Sequence, residues 1–346
     1  METKRTTYQV SFIFVIALLL SFGNTIAQTR YIKANGLTLA YESFGDPDGE
    51  AILLIHGTGA QLVDWPKEFC ETLATEGYRV IRFDNRDVGL STKLDSLGAP
   101  DWEAIIPFIK KCEPAPLPYT LLDMAKDATG LLDALKIEKA HLVGGSMGGA
   151  IAQLITIHYP EKVRTLTSIM ASTGNPNLPQ GDEETVKVMS TPPPPTKNPD
   201  TLANYLVKIY KALGNIDDEP TLKKRALENI NRSWYPEGTT RHVAAVVIGE
   251  NCDRRPELAR INVPVMVIHG DADPLVKISS GEELAATIPN AQLCVVEGMG
   301  HALSTKFIQT VADCVLQITK GEINKSNEFS LYARSINNHL KLVADK

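Results

Sequence analysis

Cysteine is scarce in this chain: Cys70, Cys112, Cys252, Cys294 and Cys314 are scattered over 346 positions, and no C-x-x-C pair occurs. That excludes a disulfide-built miniature fold and a zinc ribbon, both of which need closely spaced cysteines. Other metal and nucleotide signatures are missing as well. There is no H-E-x-x-H to hold zinc and no Walker-type loop to cradle phosphates. Gly57-Thr58-Gly59 begins like a dinucleotide fingerprint, but Leu62 stands where the third glycine belongs. The residues therefore call for no metal and no cofactor. Basic charge is in deficit, 35 Lys and Arg against 41 Asp and Glu for a net charge of −6, which gives nucleic acid no electrostatic reason to bind. What is present is ordinary globular composition, 43% hydrophobic and 22% charged, enough to build a full core without staples.

The apolar run Phe12–Leu20 falls short of the ~20 residues needed to span a bilayer. Lys4 and Arg5 precede it, and small residues Thr25 and Ala27 follow before Gln28. Basic head, apolar centre and small-residue exit describe a secretory signal peptide over residues 1–27. The expectation is an exported chain, periplasmic or secreted, with no membrane contact after cleavage. Export opens the way to disulfides, but an odd number of cysteines leaves one thiol over, and the pairing is not readable from spacing.

Short, nearly continuous apolar runs alternate with helix-like segments beyond that point. Ala51–His56, Tyr78–Phe83, Ala140–Gly144, Arg164–Met170, Val263–His269 and Ala291–Val296 lack in/out alternation, as strands buried on both faces of a parallel sheet do. Between them, Trp65–Glu76, Thr120–Leu135, Gly148–Tyr159 and Ser279–Ile288 carry apolar residues at helical spacing. The rhythm predicts an α/β fold with a mostly parallel, doubly wound sheet. Leu37–Ser43 does alternate and is expected to open the sheet as an antiparallel edge. The rhythm breaks over 174–256, where Thr201–Leu213, Thr221–Ile230 and Arg241–Glu250 read as helices with no strand between them. The expected organisation is a core of 28–173 and 257–320, a helical cap (lid) of 174–256 inserted between core strands, and a tail of 321–346. An irregular stretch, Lys93 to Pro118, is expected beside the cap, and Leu331–Val343 has the pattern of a loose helix.

The sharpest local signal is Gly144-Gly145-Ser146-Met147-Gly148-Gly149, between a strand and a helix. A serine can attack a carbonyl when its hydroxyl is exposed on a tight strand-to-helix elbow, and the flanking glycines remove side chains that would clash there. Such a nucleophile needs a base, and the base an acidic orienter. Of seven histidines, His301 stands out in the loop Glu297-Gly298-Met299-Gly300-His301, after a strand. His56 and His269 precede glycines at strand ends, where bracing roles are expected, and His141, His158, His242 and His339 carry no catalytic signal. Asp271 and Asp273 both lie at the end of the strand before His301; Asp273, deeper in the turn, is preferred. Ser146, Asp273 and His301 then follow one another past the carboxyl ends of strands, where open α/β sheets place their sites. The backbone N–H groups of Thr58 and Met147 are the candidate oxyanion hole, a feature whose single donors are worth ~2.7–4 kcal/mol in the transition state.

At these residues the sequence resembles the α/β-hydrolase superfamily and, within it, the aclacinomycin methylesterase type of esterase. The likeness is carried by His56-Gly57, Phe83-Asp84-Asn85-Arg86-Asp87-Val88-Gly89-Leu90-Ser91, the Ser146 elbow, Val267-Ile268-His269-Gly270 with Asp273-Pro274, and Gly298-Met299-Gly300-His301. It implies Ser146 as nucleophile, Asp273 as acid, His301 as base, and Thr58 and Met147 as oxyanion donors. Most members have Gly where Asp87 stands; Asp there is similar to the methylesterase type. The expected activity is hydrolysis of small-molecule carboxylic esters through an acyl-enzyme. Trp65, Trp102, Tyr205, Tyr210, Trp234 and Tyr235 are candidate pocket residues, those in the cap serving equally well as its own core. The same triad would serve a perhydrolase, a C–C bond hydrolase, or a proline aminopeptidase using Asp217, Asp218 or Glu219 as an amine anchor. A hydrolase-fold receptor with little turnover is the rival outside enzymology.

Overall fold

The computed structural model describes residues 28–109 and 111–322. The signal-peptide reading of 1–27 and the tail helix at Leu331–Val343 lie outside these residues. Eight strands form one sheet: β1 (Arg30–Ala34), β2 (Leu37–Phe44), β3 (Ala51–Ile55), β4 (Arg79–Phe83), β5 (Ala140–Gly145), β6 (Val163–Ile169), β7 (Val265–Gly270) and β8 (Gln292–Val296). Their order is β1-β2-β4-β3-β5-β6-β7-β8, with β1–β2 and β2–β4 antiparallel and every later pairing parallel. The antiparallel expectation for the Leu37 segment holds, but the edge belongs to β1. β1 is largely exposed, so it carries no run of apolar residues by which to recognise it.

The apolar strand runs are explained by the layers on either side. Along β3, Ala51, Leu53 and Ile55 join the core on one face while Ile52 and Leu54 join that on the other; β7 divides the same way, with Val265 and Val267 opposed to Met266 and Ile268. Among the helices, α1 (Lys67–Thr75), α2 (Trp102–Ile105), α3 (Leu121–Ala134) and α4 (Met147–His158) come before β6. α3 starts at a capping box, Thr120 Oγ1 accepting from the Asp123 N–H and the Asp123 carboxylate accepting from the Thr120 N–H; this satisfies two donors that a helix start leaves unpaired. Between β6 and β7 come α5 (Glu183–Met189), α6 (Pro199–Ala212), α7 (Glu219–Arg232), α8 (Pro236–Gly249) and α9 (Arg255–Leu258); α10 (Ile278–Thr287) and α11 (Ile308–Thr319) complete the chain. α3, α4 and α10 cover one face of the sheet, α1 and α11 the other.

The helices between β6 and β7 have a small core of their own, Leu202, Ala203 and Val207 of α6 against Leu222, Ala226 and Ile230 of α7. The irregular stretch after β4 lies beside them: Arg241 donates to the Gly98 carbonyl (3.0 Å), and Cys112 is disulfide-bonded to Cys252. Cys294 of β8 pairs with Cys314 of α11, leaving Cys70 as the free, buried thiol. Among the described residues, no helix is long and apolar enough to cross a membrane.

The β3–β5 neighbourhood is where strand order reverses, and there the packing tolerates no side chain. A Cβ on Gly148 would stand 2.0 Å from the Ile55 carbonyl oxygen, and one on Gly144 would stand 2.1 Å from the Gly148 carbonyl oxygen. Gly148→Ala is expected to lower stability by about 3 kcal/mol or more, because backbone, not a yielding side chain, must move. Gly36→Ala, at φ +77° but with nothing within 4 Å of its Cβ position, is expected to cost about 1–2 kcal/mol. Urea unfolding of the two variants measures the difference; equal losses would contradict the packing argument.

Candidate active site

Ser146 sits between β5 and α4 with φ +54° and ψ −123°, a conformation that costs a residue with a side chain roughly 1–3 kcal/mol. Hydrogen bonds hold it there. Its N–H donates to the Ile169 carbonyl (2.9 Å), and its own carbonyl accepts from Gly149 (2.8 Å). The elbow lifts the hydroxyl to the carboxyl edge of the sheet, where the loops after β3, β7 and β8 meet it.

From the loop after β8, His301 places Nε2 2.9 Å from Ser146 Oγ and Nδ1 2.8 Å from Asp273 Oδ2. With its proton on Nδ1, donated to the carboxylate, the imidazole turns its Nε2 lone pair to the hydroxyl. The other Asp273 oxygen accepts the N–H groups of Leu275 (2.9 Å) and Val276 (2.8 Å). Burial by itself would raise the Asp273 pKa, but the His301 and His269 rings hold this carboxyl well below the usual carboxylate range. Asp271 is exposed and accepts from the Gly298 N–H (2.6 Å), bracing the His301 loop without touching the ring. His269 is fully buried; its Nε2 donates to the Val276 carbonyl (2.8 Å) and lies 3.5 Å from Asp273 Oδ2.

The loop after β3 packs directly on the elbow, since a Cβ on Gly57 would stand 3.2 Å from Ser146 Cβ. His56 Nδ1 accepts the Gly57 N–H (2.7 Å), and Asn85 Nδ2 donates to the His56 carbonyl (3.1 Å). Thr58 follows in this loop and Met147 opens α4. Among the described residues their N–H groups have no hydrogen-bond partner, so both stay available to an anion, and the positive end of α4 adds to that preference.

The aromatic candidates disperse. Trp65 is buried, stacked on Phe69 and tilted against His56. Trp102 opens α2 and is exposed. Tyr210 and Trp234 pack on the α6–α7 core, and the Tyr205 ring meets Trp234 edge-on while its hydroxyl donates to the Thr191 carbonyl (2.8 Å). The Tyr235 hydroxyl is taken by Asp95 and Arg241. Tyr210 of α6 and Trp234, in the link between α7 and α8, thus pack on the interior of the helical segment, with Tyr205 laid against Trp234 at its rim. The acidic candidates there are also committed: Asp217 accepts the Thr305 N–H, Asp218 caps α7 and Glu219 pairs with Lys211.

The Asp84–Leu90 segment proves to be a brace. Asp84, fully buried, accepts the N–H groups of Leu62 (2.7 Å) and Leu90 (2.8 Å) and pairs with Arg232 of α7. Arg86 pairs with Asp127 of α3, and Asp87 takes two donors from Arg241 of α8 (2.8 and 3.0 Å). Two contacts to the site itself escape sequence reasoning. The Leu213 carbonyl, after α6, accepts the His301 N–H (2.7 Å). His242 of α8 accepts the Gly59 N–H at Nδ1 (3.1 Å) and donates from Nε2 to the Arg86 carbonyl (2.8 Å). Nothing in the spacing of either residue signals these partners. Among the described residues no cluster of side chains is arranged to hold a metal ion.

A family model described as alpha/beta hydrolase fold matches residues 50–305. Rhodomycin D methylesterase DauP of Streptomyces sp. (strain C5) is 29% identical over 313 residues, covering 84% of this chain and 98% of that protein. A 2-hydroxy-6-oxononadienedioate/2-hydroxy-6-oxononatrienedioate hydrolase of Paraburkholderia xenovorans (strain LB400) is 30% identical over 258 residues, covering 73% of this chain and 80% of that protein. Among solved structures, the enol-lactonase from Burkholderia xenovorans LB400 superposes with a TM-score of 0.60 at 23% identity, covering 83% of this chain and all of that one; at this identity the likeness speaks for the fold.

Burial pushes the His242 imidazole down from the ordinary 6.5 to about 4, against the pull of the Arg86 carbonyl and Asp87. Between these values the unfolded chain binds a proton that the folded chain refuses, so stability falls as pH drops from about 6.5 to about 4 and levels off below. The window corresponds to about 3 kcal/mol from this residue. Chemical denaturation at stepped pH is expected to show that much less acid sensitivity in His242→Asn than in the parent; identical slopes would mean that His242 titrates normally.

Proposed function

The chain belongs to the α/β-hydrolase family, and on that premise we propose that it hydrolyses carboxylic esters of small molecules with Ser146 as nucleophile. One observation carries the reading: Ser146, His301 and Asp273, remote in sequence, form a continuous hydrogen-bonded relay of 2.9 and 2.8 Å. The methylesterase relative, matched over 98% of its own length, supports ester cleavage.

In the proposed reaction Ser146 Oγ bonds to the ester carbonyl carbon as its proton passes to His301 Nε2. The carbonyl oxygen becomes an oxyanion facing the Thr58 and Met147 N–H groups. Collapse breaks the bond to the alkoxide, which leaves as an alcohol with the proton from His301. Water then repeats the sequence on the acyl-enzyme, its proton going to His301 and returning to Ser146 as the carboxylic acid departs. Asp273 stays ionised throughout, holding the ring and stabilising the imidazolium, a task for which its depressed pKa suits it.

Export belongs to the same proposal. It is supported by the N-terminal pattern of residues 1–27 and by the Cys112–Cys252 and Cys294–Cys314 pairs, which persist in oxidising compartments.

Short p-nitrophenyl esters test the activity. Ser146→Ala and His301→Ala are expected to lower kcat by about 10⁴-fold or more, and Asp273→Asn by about 10⁴-fold, with each protein still folded by circular dichroism. Undiminished turnover in Ser146→Ala would remove the nucleophile, and turnover of C–C substrates or peracid formation in preference to esters would reassign the chemistry.

A further inference from the structure

The helices between β6 and β7 do more than cover the sheet edge, because α8 rests on the loop that carries Thr58. Gly238 packs on the Asp87 carbonyl, and Thr239 lies 2.8 Å from where a Gly59 Cβ would be. One helical turn on, the His242 ring is completely buried between the Gly59 N–H and the Arg86 carbonyl. Both bonds are satisfied together by one form, the neutral ring with its proton on Nε2. An imidazolium, or the other tautomer, would set an N–H against the Gly59 N–H. The Arg86 end is fixed, since its guanidinium is bound to Asp127 (2.5 and 2.8 Å) and to the Asp123 carbonyl (3.0 Å). The ring is therefore a strut between a fixed point and a loop.

What the strut holds is the Gly57–Ala60 turn that presents the Thr58 N–H. Thr58 is flanked by two peptide planes, and each is pinned. The first contains the Thr58 N–H, and its Gly57 carbonyl accepts the Ala60 N–H (3.3 Å). The second contains the Gly59 N–H, which His242 holds at a Gly59 φ of +69°; that bond keeps the turn, and with it the first plane, in place. Without the second bond, a glycine free to rotate sits beside the oxyanion donor. A donor misdirected by tens of degrees loses most of its hydrogen bond, and oxyanion donors act only in the transition state.

We propose that His242 is a positioning residue for the reaction, holding the Gly57–Gly59 loop so that the Thr58 N–H faces the oxyanion. The inference rests on the reading of Ser146 as nucleophile and Thr58 as donor. It assigns to a helix-borne histidine, 183 positions from its partner, an effect on kcat with no contact to substrate.

Phosphonylation by a fluorophosphonate tests both layers: the Ser146 Oγ–phosphorus bond forms, fluoride leaves, the serine proton passes to His301, and the phosphoryl oxygen occupies the oxyanion position. His242→Leu is expected to slow labelling and to lower kcat on p-nitrophenyl esters by about 10- to 100-fold, with KM within about threefold and faster amide exchange at residues 57–60. His242→Asn, whose side-chain oxygen can accept near the Nδ1 position, is expected to recover most of that loss. Should His242→Leu fail to fold, the ¹⁵N shifts of His242 in the intact protein decide, with the Nε2-protonated tautomer expected from neutral to mildly acidic pH. Labelling and kcat unchanged in His242→Leu, equal losses in both variants with KM rising in step, or the opposite tautomer would each overturn the proposal. Absence of labelling in the parent protein would instead overturn the reading of Ser146.

Discussion

The hydrogen bond between His301 Nε2 and Ser146 Oγ is the contact on which the proposed site depends, and the rest of the fold is what makes it possible. A serine hydroxyl in water is a poor nucleophile. It gains reactivity where a general base, here a neutral imidazole of fixed tautomer, meets it at bonding distance. The serine meets that demand from a backbone that no ordinary strand or helix provides, at φ +54°. Glycines at 144 and 148 let β5, α4 and the end of β3 approach to a separation that excludes any side chain. The imidazole meets it through Asp273, whose second oxygen is tied to its own turn and whose first is left for the ring. Strain at the elbow is thus held by packing, and charge in the acid by hydrogen bonds.

The helical segment between β6 and β7 is joined to this assembly rather than laid over it. Arg232 reaches Asp84, Arg241 reaches Asp87, and Arg225 and Asn229 reach Asp64. Buried ion pairs of this kind add little net stability, because desolvation offsets attraction, but they penalise any other arrangement heavily. Their place in the structure fits that use. They fix where the loops after β3 and β4 sit, and the Leu213 carbonyl does the same for the backbone of His301. Asp87, at which the sequence is similar to one type of esterase, is part of this joint, its carboxylate bonded to Arg241 and to the Leu94 N–H.

How much of this was legible in the sequence depends on whether the signal was local. β3 through β8 could be read because both faces of each are buried, which writes a continuous apolar run into the chain. The elbow at Ser146 could be read because it demands small neighbours, and the loop of His301 because it follows a strand and carries two glycines. Asp273 and Asp271 are alike in composition and spacing; geometry gives the ring to Asp273 and the Gly298 N–H to Asp271. β1 left no pattern because an exposed edge strand needs none. Tyr205, Tyr210 and Trp234 fitted a pocket or the cap's own core equally well, because an aromatic side chain in a helical segment reports burial without saying against what. His242 could not be found at all, because its significance lies in partners at Gly59 and Arg86 that only the tertiary fold brings near.

The central claim is covalent, and trapping the intermediate tests it most directly. Rapid acid quench during turnover of p-nitrophenyl acetate, followed by peptide mass spectrometry, should find one acetyl group on the peptide containing Ser146. That adduct should disappear in His301→Ala. Steady hydrolysis with no acetylated Ser146 at any quench time, or an acetyl group on another residue that accounts for turnover, would contradict the account.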